Sequence, residues 1–152
     1  MSIHQLKTKQ IVPASLKEVW EFMENPRNLK KITPDYMGFD IVSQGLPEKM
    51  HTGLLIEYKV SPVLKLPMTW LTEITHLQEQ VFFVDEQRVG PYKLWHHQHH
   101  FEETAKGVLM RDIVSYQLPF GPIGDFTHQM FVKKQLLSIF DYRYQAVEDY
   151  FG

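Results

Sequence analysis

The chain has 152 residues, 43% of them hydrophobic and 22% charged, which suits one globular domain with a substantial core. A formal net charge of -2 supplies no basic field for nucleic acid or for an anionic membrane surface. With no cysteine, the chain can form no disulfide, thiolate nucleophile or Cys-ligated metal centre. The opening MSIHQLKTKQIVP lacks the apolar core of a signal peptide, and no apolar run is long enough to span a bilayer, so a cytoplasmic protein is expected. No repeat or linker divides the chain, so residues 1–152 read as one domain.

Ile3 to Val12 reads as a short strand that stops at Pro13. Ser15 followed by Glu18 is the capping-box pattern, and it opens a helix whose apolar side is Val19, Trp20, Phe22 and Met23. Pro26 ends that helix, and Asn25 can cap a second short one from Arg27 to Ile32. From Tyr36 to Tyr116 the hydrophobic period becomes two, the mark of half-buried strands. Tyr36 to Ser43 is expected as one strand, Leu54 to Val60 as the next, and Ser61 to Pro67 as a loop with two prolines. Met68 to Ile74, Gln80 to Arg88, Tyr92 to Glu103 and Val108 to Tyr116 follow, with turns at Gly90-Pro91 and Lys106-Gly107. Short connections make this an antiparallel meander. After the Pro- and Gly-rich stretch from Pro119 to Gly124, the residues Phe126, Met130, Leu137, Phe140, Tyr144, Val147 and Phe151 share a helical face. That predicts a helix of about 25 residues whose apolar stripe packs on the sheet.

The order of strand, two short helices, meander and long terminal helix resembles the START-like lipid-transfer and polyketide-cyclase superfamily, SRPBCC. Phe83-Val-Asp-Glu-Gln87, Gly90-Pro-Tyr92, Trp95-His-His-Gln-His-His-Phe101, Leu118-Pro-Phe-Gly-Pro-Ile-Gly124 and Phe140-Asp-Tyr-Arg143 are similar to the signature run of a bacterial branch of it, largely without assigned activity. The resemblance covers essentially the whole chain. It implies an α+β helix-grip fold: a curved antiparallel sheet of about seven strands, with two short helices and a long C-terminal helix over an internal cavity. Members of the superfamily bind sterols, lipids, hormones or polyketides there, and some cyclise or dehydrate them. Fold alone therefore leaves the function open.

Four of the eight histidines lie between Trp95 and Phe101. Alternation on a strand puts Trp95, His97, His99 and Phe101 on one face, expected inside, and His96 and His100 on the other. A hairpin centred on Gly90 would set Asp85 beside Trp95 and Phe83 beside His97. One centred near Ala105-Lys106 would set His99 opposite Asp112 and Trp95 opposite Tyr116. Three roles compete for His97, His99, Asp85 and Asp112. They can form a satisfied structural network, orient a ligand hydroxyl or carbonyl, or do acid–base chemistry, with His99 and Asp112 as base and Arg143 or Tyr116 steadying an enolate. His97 and His99 could also hold zinc with Asp112 as third ligand, but no helical HxxxH or cysteine supports it, and neither metal nor cofactor is expected.

The residues expected to meet a ligand are Tyr58, Trp70, Phe83, Asp85, Trp95, His97, His99, Met110, Tyr116, Phe140 and Tyr144, with Ile56 and Thr72 also facing inward. The loop Leu118 to Asp125 is expected at the entrance. The main expectation is a binding or transport module for a small hydrophobic molecule such as a lipid, isoprenoid or polyketide. A cofactor-free cyclase or dehydratase using His99, Asp112 and Arg143 is the first alternative. A protein-interaction module is the second, and a homodimer is compatible with either.

Overall fold

Strand β1 (His4–Val12) ends at Pro13, and Ser15 then opens helix α1 (Leu16–Met23) by accepting a hydrogen bond from the Glu18 amide at 3.2 Å. This computed structural model describes residues 2–61 and 66–152. Asn25 Oδ1 accepts from the Arg27 amide at 3.1 Å and starts the second short helix, a 3-10 stretch from Pro26 to Ile32. The strand expected over Tyr36–Ser43 is largely absent. Asp35–Met37 forms a single 3-10 turn, and only Asp40–Ile41 pairs as strand β2. Gly38 between them has φ +58°, a left-handed conformation that breaks an extended run. Of the expected loop Ser61–Pro67, residues 62–65 lie outside the described residues.

Strands β3 (Leu55–Val60), β4 (Met68–Gln78), β5 (Phe82–Val89), β6 (Leu94–Thr104) and β7 (Gly107–Gln117) complete the meander. The seven strands form one antiparallel sheet in the order β1-β7-β6-β5-β4-β3-β2. Register breaks in β4 between Leu71 and Thr72, and again between Ile74 and His76, are bulges that bend the sheet about its concave face. Gly107 closes the β6–β7 turn at φ +129°, and a Cβ there would lie 2.1 Å from the Val12 carbonyl oxygen. Only glycine fits that crossing.

The chain turns at Phe120 into α2 (Gly121–Thr127), passes through a π turn (His128–Val132), and continues as α3 (Lys133–Phe151). The expected stripe is only half buried. Leu136, Phe140, Arg143 and Val147 face the sheet, spaced at four, three and four residues as a helix requires. In the first half it is Gly124 and His128 that are buried. Phe126 is 64% exposed, and Met130, Leu137 and Tyr144 also face out. The π turn widens the helix by about one residue per turn and so rotates the first half relative to the second. A stripe laid out at a constant 3.6-residue period therefore misses the buried face at Phe126 and Met130, while Leu137 and Tyr144, within α3, flank that face one residue beyond the buried Leu136 and Arg143.

Trp20 anchors α1 at 1% exposure, edge-on to Phe83 and Phe101 at ring separations of 6.0 and 5.1 Å. Its indole N–H donates to Glu24 Oε2 at 2.9 Å, so the ring is buried without an unpaired donor. This is an α+β helix-grip fold. Among the described residues, no helix is long and apolar enough to cross a membrane.

Candidate functional site

The β6–β7 turn sets the register anticipated from it: His99 opposite Asp112 and Trp95 opposite Tyr116. The β5–β6 register differs by two residues, with Asp85 opposite His97 and Phe83 opposite His99. The cause is the loop. Gln87 accepts from the Tyr92 amide at 3.0 Å and donates to its carbonyl at 2.7 Å, which moves the turn centre one residue past Gly90. An even slip keeps every side chain on its face. His97 and His99 therefore point inward as expected, stacked at 3.7 Å, while Phe83 stacks on His99 at 4.0 Å.

Two carboxylates hold the two rings. His97 Nε2 lies 2.9 Å from Asp112 Oδ1, and His97 Nδ1 lies 3.6 Å from Asp85 Oδ2. His99 Nε2 lies 2.5 Å from Asp85 Oδ2, and His99 Nδ1 lies 3.2 Å from Asp112 Oδ1. From the helix, Arg143 Nη2 donates to the same Asp112 oxygen at 3.2 Å. The anticipated His99–Asp112 pair exists, but the shortest contacts run diagonally, His97 with Asp112 and His99 with Asp85.

Burial opposes the charge on Asp112, yet Arg143 and the bonds from His97 and His99 outweigh it and hold its pKa well below the usual carboxylate range. Burial also opposes the charge on Asp85, and His97 and His99 again prevail to lower its pKa. Burial works against the His99 imidazolium too, but hydrogen bonds to Asp112 and Asp85 raise its pKa. His97 is pushed the other way, down to about 4, by burial and by its charged neighbour His99. The cluster thus sets two carboxylates against the Arg143 guanidinium and a His99 whose protonated form is favoured, while His97 is neutral at pH 7. Buried charges persist when they are paired in this way.

This assignment fixes what the cluster can do. His99 has a carboxylate at each nitrogen, and both favour its protonated form. His97 donates through Nε2 to Asp112, so its Nδ1 carries a lone pair, and no donor among the described residues reaches it. Arg143 Nη2 also approaches His99 Nδ1 at 3.3 Å, a contact that becomes a hydrogen bond only when that nitrogen has lost its proton.

The cluster forms one pole of an internal cavity of about 170 Å³. Asp85, His97, His99 and Arg143 line it, whereas Asp112 lies behind the rings. Tyr58, Trp70, Phe83, Trp95 and Phe140 line the rest, as anticipated, and Thr72 joins them. Trp70 and Trp95 meet edge-on at 5.2 Å, and the Trp70 indole donates to Thr72 Oγ1 at 3.0 Å.

Three anticipated lining residues lie elsewhere. Met110 shares the inward face of β7 with Asp112 but packs in the main core cluster, opposite Phe101. Tyr116 turns its hydroxyl to His128 Nε2 at 2.7 Å, in a separate polar cluster where the His128 and His4 rings stack at 3.5 Å. Tyr144 is 47% exposed, on the outer side of α3. The loop 118–125 does not line the cavity either. Its partly exposed polar lining is Asn25, Asn28, Thr33 and Gln135, between the 3-10 stretch and the start of α3. Tyr36 crosses the same gap to Ser138, with the two hydroxyl oxygens 3.0 Å apart. Sequence reasoning also missed Met37, Phe39, Met50, Leu136 and Ile139 in the lining. Leu136 and Ile139 were within reach by counting back from Phe140 and Arg143, but the loop residues carry no periodicity to betray them.

No protein-family profile matches the chain, and no curated protein matches its sequence. Solved structures do match its fold. TTHA0849 from Thermus thermophilus superimposes with a TM-score of 0.72 at 14% identity, over 96% of this chain and 95% of that one. Ginseng major latex-like protein 151 from Panax ginseng gives 0.71 at 14% identity, over 99% and 98%. Ara h 8.0201 gives 0.64 at 14% identity, over 98% and 97%. At such identities the likeness is one of fold.

Proposed function

We propose that this chain is a START-like binding domain for a small, largely apolar molecule that carries one hydroxyl group, held in the cavity under α3. The fold it shares with a major latex-like protein supports hydrophobic ligand binding in general. The single observation that carries the finer reading is the acceptor pair at the polar pole, His97 Nδ1 and, 3.6 Å away, Asp85 Oδ2, which accepts from His99 Nε2 and keeps a further lone pair. Two adjacent acceptors in a buried site call for a hydrogen-bond donor, and a carboxylate ligand would be repelled by Asp85. The aromatic walls select flat or branched hydrocarbon beyond that group.

Trp70 and Trp95 line the cavity and report its occupancy by fluorescence. In buffer with a chelator, 2-naphthol should quench them and bind about tenfold tighter than naphthalene, the worth of one buried hydrogen bond. 2-Naphthoate should bind worst. His97→Phe should abolish the preference for naphthol while keeping naphthalene affinity. If none of the three changes the tryptophan signal up to its solubility limit, the cavity is not a ligand site.

The outward apolar run favours a second reading, self-association. Phe120 is 80% exposed, and Ile123, Phe126, Met130 and Phe131 follow it along α2 and the π turn. Exposed apolar patches of this kind mark contact surfaces. Sedimentation of the wild type and of Phe126→Ser over a range of concentrations tests it. A monomer at all concentrations removes the homodimer.

A further inference from the structure

We propose that Asp85, His97 and His99 form a binding site for one divalent first-row transition metal ion, open toward the cavity. It does not rest on the ligand reading above. The observation behind it is the way the two imidazoles are held. His97 Nε2 and His99 Nδ1 both face one oxygen of Asp112, at 2.9 and 3.2 Å. Their opposite nitrogens, His97 Nδ1 and His99 Nε2, therefore converge on Asp85 Oδ2, at 3.6 and 2.5 Å. One atom from each of the three residues lies within 4.8 Å of the others. A carboxylate behind a histidine, gripping its far N–H, is the arrangement that orients imidazole ligands toward a metal. Here a single carboxylate grips two, and Arg143 holds that carboxylate in turn.

The dimensions agree with this. Metal–ligand bonds of about 2.0–2.1 Å set donor atoms about 2.9–3.4 Å apart. The His97–Asp85 spacing needs only a small contraction, and the Asp85–His99 pair opens by less than about 1 Å when a metal replaces the proton between them. The charge agrees as well. Once that proton is displaced, Asp85, Asp112 and Arg143 leave a net negative site for a cation. Two imidazoles and one carboxylate suit zinc, cobalt or ferrous iron over calcium or magnesium. The remaining coordination positions face the cavity, because Asp85, His97 and His99 line it and Asp112 does not. The sequence alone suggested Asp112 as the third ligand. The β5–β6 register instead brings Asp85 to the front of both rings and leaves Asp112 behind them.

Metal-free wild-type protein titrated with cobalt(II) should bind one equivalent, read by visible absorption, with zinc binding confirmed by calorimetry and magnesium giving none. Asp85→Asn and His97→Ala should each weaken binding by about 100-fold or more, and Asp112→Asn by about 10–100-fold. His51→Ala, at an exposed histidine, should leave it unchanged. Should a variant fail to fold, the wild type still decides, because bound cobalt must broaden the NMR signals of His97, His99 and Phe83 and spare those of His4 and His128. No binding by about 1 mM cobalt overturns the proposal. So does binding that survives both Asp85→Asn and His97→Ala, or broadening centred on other histidines. The naphthol titration is run in chelator, so either result can fail without the other.

Discussion

Neighbouring histidines of one strand are driven in opposite directions here, and pH stability must carry both signatures. In metal-free protein, His97 titrates near 4 in the folded state against 6.5 for a free imidazole. Above pH 6.5 neither state holds that proton and nothing is lost. As pH falls from 6.5 toward 4, the unfolded chain takes up a proton that the folded one refuses, and stability falls by roughly 3 kcal/mol. His99 has the opposite sign, because its folded pKa is raised. Its contribution is complete below 6.5 and disappears as pH rises through the folded value. Asp85 and Asp112, both lowered, stabilise above the ordinary carboxylate value of 3.8 and withdraw that support as pH falls through their own folded values. Urea midpoints measured against pH should therefore peak near 6.5. His97→Phe should flatten the acid limb and His99→Gln the alkaline one. A wild-type profile that stays level between pH 6.5 and 4 would contradict the neutral, buried state of His97.

At the scale of elements, the strands were far more readable than the long helix, and the reason is geometric. A strand's period of two survives an even slip, so the inward faces of β3, β5, β6 and β7 followed from alternation, whereas the bulge after Ile74 shifts the phase in β4 and turns Leu77 inward in place of His76. Register followed where the turn was tight, as at Gly107. It failed by two where Gln87 wraps the backbone of Tyr92, a side-chain grip that periodicity does not encode. Which histidine meets which carboxylate most closely was also hidden, since diagonal contacts depend on side-chain rotation as well as on register. The helix escaped because the π turn shifts its phase at His128–Val132 and no residue pattern announces the shift. The two halves of the expected stripe must then respond differently to truncation. Phe140→Ala, at a buried position, should cost about 3–5 kcal/mol in urea denaturation. Phe126→Ser, on the same stripe as drawn from the sequence, should cost less than about 0.5 kcal/mol at dilute concentration. Equal losses at the two sites would mean that the helix is in phase throughout and that Phe126 is packed.

For the whole molecule, the cavity is a standing expense that a purely structural protein would have little reason to keep. At about 24 cal/mol for each Å³ of empty space, a void of 170 Å³ forgoes as much as about 4 kcal/mol of packing. The bulges in β4 that curve the sheet, and the single helix laid over it, leave that space open. Its polar pole adds the desolvation of five ionisable groups, balanced only because they pair with one another. Both features weaken the fold and suit occupancy, which is the usual relation between stability and a binding site. Filling the space should reverse that relation. Ile139, half-buried on α3, lines the cavity and packs with the Trp95, Leu136 and Phe140 cluster. Ile139→Phe should raise the thermal midpoint by a few degrees, roughly the effect of 1 kcal/mol in a domain of this size, while weakening naphthol at least about tenfold. If the substitution destabilises the protein and leaves naphthol affinity intact, the two wall faces already touch and the ligand sits elsewhere. A stabilised variant that no longer binds would tie the missing packing energy to the space the ligand occupies.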